Sequence, residues 1–347
     1  MGASAISVPH IGRLAAGPRN CITDVEGVRV GHCTLDDGPV QTGVTVVSPH
    51  GGNLFTHKLP AAAAVINGFG KSVGLVQVEE LGTLETPIAL TNTFAVGAIV
   101  TAQVRHALQA NPEIGRSLPT VNPLVMECFD GYLNDMHAFA VQESHFRQAL
   151  DALSTEVPQG AVGAGRGMSC FEMKGGIGSA SRQVEVGAGG NRFTVGALVL
   201  ANFGKLPELI LDGRPVGRAL AADAASDTSP EKGSIIMVIA TDAPLDARQL
   251  KRLAVRAGAG LARTGSAYGH GSGDIALAFS TAQQIEAGSA CLNMALLQDH
   301  LLDPLFHAAA DSVEQAIVNA LFAAQTVRGR DGRVRECLRE RLARLPS

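Results

Sequence analysis

The chain has 347 residues, 46% of them hydrophobic, with a formal net charge of −4. That is enough apolar material for a large core in one α/β domain or two. The charge gives no basic field for nucleic acid or an anionic membrane, and no uninterrupted apolar run reaches the length of a membrane span.

In chain order, apolar strand-like runs are predicted at 42–47, 61–66, 87–90, 192–201, 234–240 and 275–280. Helical patterns fall between them. Over 93–108, Val96, Val100, Val104, Ala107 and Leu108 share one face. Over 246–263, Leu250, Leu253, Ala254, Ala257 and Leu261 form a stripe that stops just before Gly265. Over 311–327, Val313, Ala316, Ile317, Ala320, Leu321 and Ala324 form another, with Asp311 as N-cap and Glu314 completing a capping box. One-faced helices alternating with apolar strands predict sheets covered by helices. No internal repeat is present. The polar stretch 223–232 divides the chain, but strands lie on both sides of it, so a single domain over 1–347 is expected.

Forty glycines, two tyrosines and no tryptophan suggest close backbone packing and tight turns in place of an aromatic ligand groove. The six cysteines show no Cys-x-x-Cys or Cys/His spacing, so no metal or other cofactor is expected, and the thiols fit a reducing compartment. The opening Met-Gly-Ala-Ser-Ala-Ile lacks the pattern of a secretory signal or a myristoylation site; a cytoplasmic location is expected. The Arg-rich tail 328–344 is interrupted by Asp331, Glu336 and Glu340 and reads as a solvated terminal segment.

The junction Gly233-Ser234 places a small nucleophile where a polar stretch meets an apolar strand, Ser-Ile-Ile-Met-Val-Ile-Ala. If the chain is cut there, Ser234 gains a free α-amine, whose pKa of roughly 8 lies below the roughly 10.4 of lysine. Such an amine can act as general base for its own hydroxyl. From the dipeptide alone, a small residue at a strand start is an ordinary structural feature.

Other serine and phosphate chemistries fit less well. No Gly-x-Ser-x-Gly elbow is present. Ser229-Pro-Glu-Lys232 matches Ser-x-x-Lys but is followed by Gly233 and a strand, not a helix. No His-Glu-x-x-His occurs. The glycine-rich 163–167 and 175–178 segments lack the Lys-Ser/Thr of a phosphate loop and read as turns.

Ile22-Thr-Asp-Val-Glu-Gly-Val-Arg-Val-Gly-His32, Val65-Ile-Asn-Gly-Phe-Gly-Lys71, Leu90-Thr-Asn-Thr93, Asp130-Gly-Tyr-Leu-Asn-Asp135, Leu200-Ala-Asn-Phe-Gly204, Gly233-Ser234 and Gly271-Ser-Gly-Asp274 occur in order over about 20–285. Together they resemble the self-processing aminopeptidases typified by the L-aminopeptidase/D-esterase-amidase DmpA, a family that includes the β-peptidyl aminopeptidases. The last sixty or so residues match less distinctly. The resemblance implies an αββα sandwich, layered like the N-terminal-nucleophile hydrolases with different connectivity. It implies self-cleavage at Gly233-Ser234 into 1–233 and 234–347, with Ser234 then the nucleophile of an acyl-enzyme.

The resemblance also implies roles for other residues. Asn202 supplies an oxyanion donor; read from the residues alone, it is a turn residue ending a strand. Ser272 relays or orients the proton, the Gly273 N–H donates, and Asp274 stands where some members carry Glu. The residues alone make Gly271-Ser-Gly-Asp274 a tight turn, and both readings hold together. Tyr132 bonds substrate or intermediate, while His270 is incidental. An aminopeptidase must hold an ammonium with a carboxylate. Glu127 and Asp130 are the candidates, with Glu127 favoured and a helix-start carboxylate as the plain alternative.

The reading is a serine aminopeptidase releasing small N-terminal residues from short peptides, amino-acid amides or esters. A homo-oligomer of processed units, a tetramer by resemblance, is expected. Two alternatives remain open: an amidase acting on amine-blocked or oligomeric amides, and an uncleaved, non-catalytic assembly protein.

Overall fold

A computed structural model describes residues 7–221 and 233–345. The polar stretch 223–232, including Ser229-Pro-Glu-Lys232, lies outside the described residues.

Two sheets carry the molecule. The smaller has four strands in the order Arg29–Asp37, Val40–Ser48, Ile88–Asn92 and Leu124–Cys128. The larger has seven. Its main run is Ile285–Glu286, His57–Gly68, Gly273–Ser280, Ser234–Thr241, Asn191–Asn202 and Gly176–Val186. Strand Ser234–Thr241 is therefore interior, antiparallel to Asn191–Asn202 and parallel to Gly273–Ser280. Segments from both sides of the polar stretch build this one sheet.

Side-chain alternation along that interior strand sorts residues between two cores. Ile235, Met237 and Ile239 pack in the core that also holds Leu250, Leu253 and Leu261 of helix Ala247–Arg263 and Val313, Ile317 and Leu321 of helix Asp303–Ala323. Ile236, Val238 and Ala240 join a second core with Ile88, Leu90, Leu124, Met126 and Cys128 of the smaller sheet. A third core joins Val44, Val46, Ala89 and Val125 to Ile99 and Ala102 of helix Val96–Ala110 and Phe146 of helix Glu143–Asp151. Three cores between four layers make an αββα sandwich, as expected.

All six predicted strands are present, each longer by one or more residues. Asp246 caps its helix as a capping box, its side chain accepting from the Gln249 N–H at 2.7 Å. Two expectations are corrected. The predicted 311–327 helix instead runs Asp303–Ala323. Asp311 is not its cap but a buried mid-helix residue paired with Arg263 at 2.6 Å, and Val327 belongs to a short strand. The Arg-rich tail is folded, although Arg328, Asp331, Arg339, Glu340 and Arg344 stay exposed. Val327–Arg328 and Val334–Arg335 form a hairpin, and Cys337 and Leu338 are buried beyond it. Arg335 and Arg339 lay their guanidinium groups over Tyr132 and Phe322, so charge along this tail did not exclude folding.

Candidate active site

The register of the larger sheet assembles the centre of the site. Ser234 is the Cα partner of Asn202 on one side and of Gly273 on the other. Three residues distant in sequence thus meet at the end of one sheet, and Ser234 and Asn202 are both buried.

Backbone geometry fixes the bond preceding Ser234. The Gly273 N–H donates to the Gly233 carbonyl at 3.3 Å. A Cβ on Gly233 would lie 2.7 Å from both the Asn202 carbonyl oxygen and the Phe203 Cα, so only glycine fits without displacement. Beside Ser234 is Cys128, fully buried, with its thiol donating to the Leu200 carbonyl at 3.5 Å and its sulfur hydrogen-bonded to the Ser234 side chain. Burial pushes the Cys128 thiol well up, with Glu127 adding to the effect. It stays a neutral thiol near pH 7 and is no rival nucleophile.

Asn202 is oriented from both ends of its amide. Its Oδ1 accepts from the Ser169 N–H at 2.7 Å, and its Nδ2 donates to the Phe129 carbonyl at 2.7 Å. An amide nitrogen has two hydrogens, so one remains after this bond. Ser272 and Asp274 form a buried pair, the Ser272 hydroxyl donating to Asp274 Oδ1 at 2.7 Å. The Gly269–Ser272 turn is closed by the Ser272 N–H on the Gly269 carbonyl at 2.8 Å and tied to Asn67 Nδ2. The turn thus lies two residues earlier than the expected Gly271–Asp274, with Gly273 and Asp274 already in the strand. His270 is exposed, its ring 6.2 Å from that of Phe69.

The two candidate carboxylates differ in surroundings. Glu127 Oε1 accepts from the Lys71 N–H at 2.8 Å, Oε2 accepts from the Thr93 hydroxyl, and Gly70 lies against the carboxylate. Glu127 is 3% exposed and Asp130 0%. Asp130 accepts from Asn134 Nδ2 at 3.0 Å and from the Thr42 side chain, while its backbone carbonyl closes the turn to Leu133 and Asn134. Burial raises its pKa to about 7. Asp130 anchors its own turn and is wholly buried, through hydrogen bonds that the sequence pattern does not display.

Tyr132 is half-buried, and the Arg335 guanidinium lies 3.5 Å from its ring centroid. Cys128, Ser169, Thr93 and Arg335 are neighbours of the site that sequence reasoning did not single out. Thr93 ends one of the blocks that carry the resemblance and Cys128 follows Glu127 directly, both usable signals; for Arg335 there was none. The aromatic surface beside the site is phenylalanine: Phe69 and Phe129 are each about half exposed. Counting tyrosine and tryptophan alone had concealed it. Among the described residues, no three His, Cys, Asp or Glu side chains converge as a metal site requires. Among them too, no helix is long and apolar enough to cross a membrane.

The layered sheets form a mixed α/β architecture that matches a variant of the Ntn hydrolase fold. The sequence matches Peptidase family S58 over residues 20–335, and the chain belongs to that family; it is an aminopeptidase. It is 40% identical over 352 residues to the β-peptidyl aminopeptidase BapA of Sphingosinicella microcystinivorans, covering 94% of this chain and 87% of the relative. Its fold is similar to that of the PH0078 protein from Pyrococcus horikoshii OT3, with 50% identity, a TM-score of 0.91 and 96% of each chain covered. It is also similar to the L-aminopeptidase D-Ala-esterase/amidase from Ochrobactrum anthropi, described as a variant of the Ntn hydrolase fold. There the identity is 37%, the TM-score 0.89 and the coverage 97% of this chain and 98% of that one.

Proposed function

We propose that this aminopeptidase activates itself by cleaving Gly233-Ser234 and then uses Ser234 as an N-terminal nucleophile on short peptides, amides or esters. The observation that carries the reading is the Gly273 N–H on the Gly233 carbonyl at 3.3 Å. A donor already bonded to the scissile carbonyl can follow its oxygen as negative charge develops.

In the first reaction Ser234 Oγ attacks the Gly233 carbonyl carbon. The Gly233–Ser234 C–N bond breaks, the hydroxyl proton ends on the departing nitrogen, and Gly233 is left as an ester on Oγ. Water hydrolyses that ester, releasing the Gly233 carboxylate and restoring the hydroxyl beside a new α-amine. In turnover the amine takes the Oγ proton as Oγ attacks a substrate carbonyl and passes it to the departing amine or alcohol, and water then hydrolyses the acyl-enzyme to restore the hydroxyl. The remaining Asn202 amide hydrogen and the Gly273 N–H are the proposed oxyanion donors. The Asp274 carboxylate orients the Ser272 hydroxyl, which relays the proton. Glu127 holds the substrate ammonium by charge-assisted hydrogen bonds, and the Tyr132 hydroxyl meets the substrate.

The same reading makes 1–347 one domain cut into 1–233 and 234–347, in a homo-oligomer of processed units in the cytoplasm. The β-peptidyl name of one relative makes β-amino-acid peptides a substrate class to include in assays.

Intact-mass analysis and N-terminal sequencing test the reading. The smaller fragment should begin Ser-Ile-Ile-Met, and Ser234→Ala should abolish both cleavage and hydrolysis. Full activity from an intact chain, or normal turnover by Ser234→Ala, would exclude it.

A further inference from the structure

We propose that Arg335 forms an anion subsite beside Tyr132 that takes the free C-terminal carboxylate of a short peptide substrate. The enzyme would then prefer di- and tripeptide acids over their C-terminal amides. This rests on the aminopeptidase reading above.

Arg335 closes the hairpin formed by Val327–Arg328 and Val334–Arg335. That hairpin is clamped to the Gly131–Leu133 segment. Arg330 Nε donates to the Gly131 carbonyl at 2.8 Å, and the Arg330 N–H donates to the Leu133 carbonyl at 2.8 Å. A Cβ on Gly329 would lie 2.1 Å from the Leu133 carbonyl oxygen, so the approach requires glycine. The guanidinium is held on three sides. It stacks on Tyr132 at 3.5 Å, Nε donates to Ser169 Oγ at 3.1 Å, and Nη1 donates to the Glu172 carbonyl at 3.1 Å.

Among the described residues no carboxylate lies within 4.0 Å of Arg335. The Glu172 carboxylate acts on it only at longer range, and its Nη2 has no protein hydrogen-bond partner among the described residues. Desolvation lowers its pKa, the direction expected of a cation removed from water without a full counter-charge. Arg333 adds a second guanidinium 5.4 Å from the same ring. A fixed guanidinium with a free donor edge suits a planar carboxylate.

Position links this group to the candidate chemistry. Ser169, which accepts from Arg335, donates its own N–H to Asn202 Oδ1 at 2.7 Å. One serine and two hydrogen bonds thus separate the proposed oxyanion donor from the guanidinium. That span suits one or two residues of extended peptide, at about 3.3 Å each.

The test compares kcat/KM for Ala-Ala and Ala-Ala-amide in the full-length protein as purified, with processing followed on a gel. Wild type should favour the acid by about ten- to a hundredfold, the scale of one charge-assisted hydrogen bond. Arg335→Gln should bring the acid-to-amide ratio close to one, chiefly through KM for the acid, and Arg335→Lys should recover part of it. Equal cleavage of acid and amide by wild type would overturn the subsite. So would an Arg335→Gln variant that loses both substrates in proportion, because that marks Arg335 as only positioning Tyr132 and Ser169. Failure of wild type to cleave either substrate, alanine p-nitroanilide or the β-alanine counterparts of all three would instead reject the aminopeptidase reading, and the subsite with it.

Discussion

Gly233 lies against Asn202 so closely that a methyl group on Gly233 would sit 2.7 Å from the Asn202 carbonyl oxygen. The proposed scissile bond and the proposed oxyanion donor are therefore packed as one unit. Moving either residue moves the carbonyl that Ser234 must attack.

This contact gives a processing prediction. Gly233→Ala must shift backbone, because the atoms a new Cβ would meet belong to the main chain of Asn202 and Phe203. The Gly273 donor bond, at 3.3 Å, is already long and will lengthen further. Uncleaved chain should accumulate and convert slowly, read as band intensity against time on a denaturing gel. Conversion at the wild-type rate would show that the close packing has no part in processing.

Asn202 separates oxyanion stabilisation from folding. Asn202→Ala should lower kcat by roughly 10²- to 10³-fold, the scale for losing one such donor. It also leaves the Ser169 N–H and the Phe129 carbonyl without their partners, so a stability loss of about 1–3 kcal/mol is expected as well. Thermal unfolding beside kinetics distinguishes the two effects. A variant that loses stability while keeping wild-type kcat would leave Asn202 as a turn residue.

Much of this arrangement was legible in the sequence, and the reasons for the rest are physical. Strand Ser234–Thr241 is buried throughout and its residues are nearly all apolar, so a run of hydrophobic residues identified it. Strand Gly176–Val186 is buried apart from Gln183 and Glu185 but opens Gly-Ile-Gly-Ser-Ala-Ser, whose small side chains hide a strand from any apolar count. Arg182 within it is wholly enclosed because its guanidinium meets Ile11, Asn20, Ser181 and Gln315. All of them but Ser181 lie far from Arg182 in the chain. The site divides in the same way. Ser234, Asn202 and Gly273 were legible from motifs, whereas Ser169 and Arg335 join them only through hydrogen bonds between distant segments.

Asp130 gives a pH prediction. Burial raises its folded pKa to about 7 from an unfolded value of 3.8. A raised folded pKa means the native state holds the proton more tightly. Its contribution is fully present below about pH 4 and is lost as pH rises toward about 7. His32 acts in the opposite sense: burial lowers it to about 4, so its contribution is lost as pH falls from 6.5 toward 4. Asp130→Asn isolates the first effect, best in a Ser234→Ala background so that one unbroken chain is unfolded. The difference in urea midpoint between Asp130→Asn and its parent should shift in the variant's favour as pH rises from about 4 to about 7. A constant difference across that range would mean that Asp130 is ionised in the folded protein throughout.

Glu127 decides which substrates are taken. Its carboxylate is held by the Lys71 N–H and the Thr93 hydroxyl, which fix its orientation without supplying a positive charge. A substrate ammonium would supply one. Alanine and glycine p-nitroanilides should therefore be cleaved, and their N-acetyl forms should not, because acetylation removes the charge and adds bulk. Glu127→Gln keeps an oxygen for the Lys71 N–H, and the Thr93 hydroxyl can turn to accept from the new amide, so folding should survive. The variant should raise KM by about tenfold or more with kcat less affected, if the ammonium is held equally in the ground and transition states. Loss of substrate binding in Asp130→Asn with Glu127→Gln unaffected would move the amine site to Asp130, against its enclosure. Equal cleavage of free and acetylated substrates would remove the need for any amine-binding carboxylate and favour an amidase acting on blocked amides.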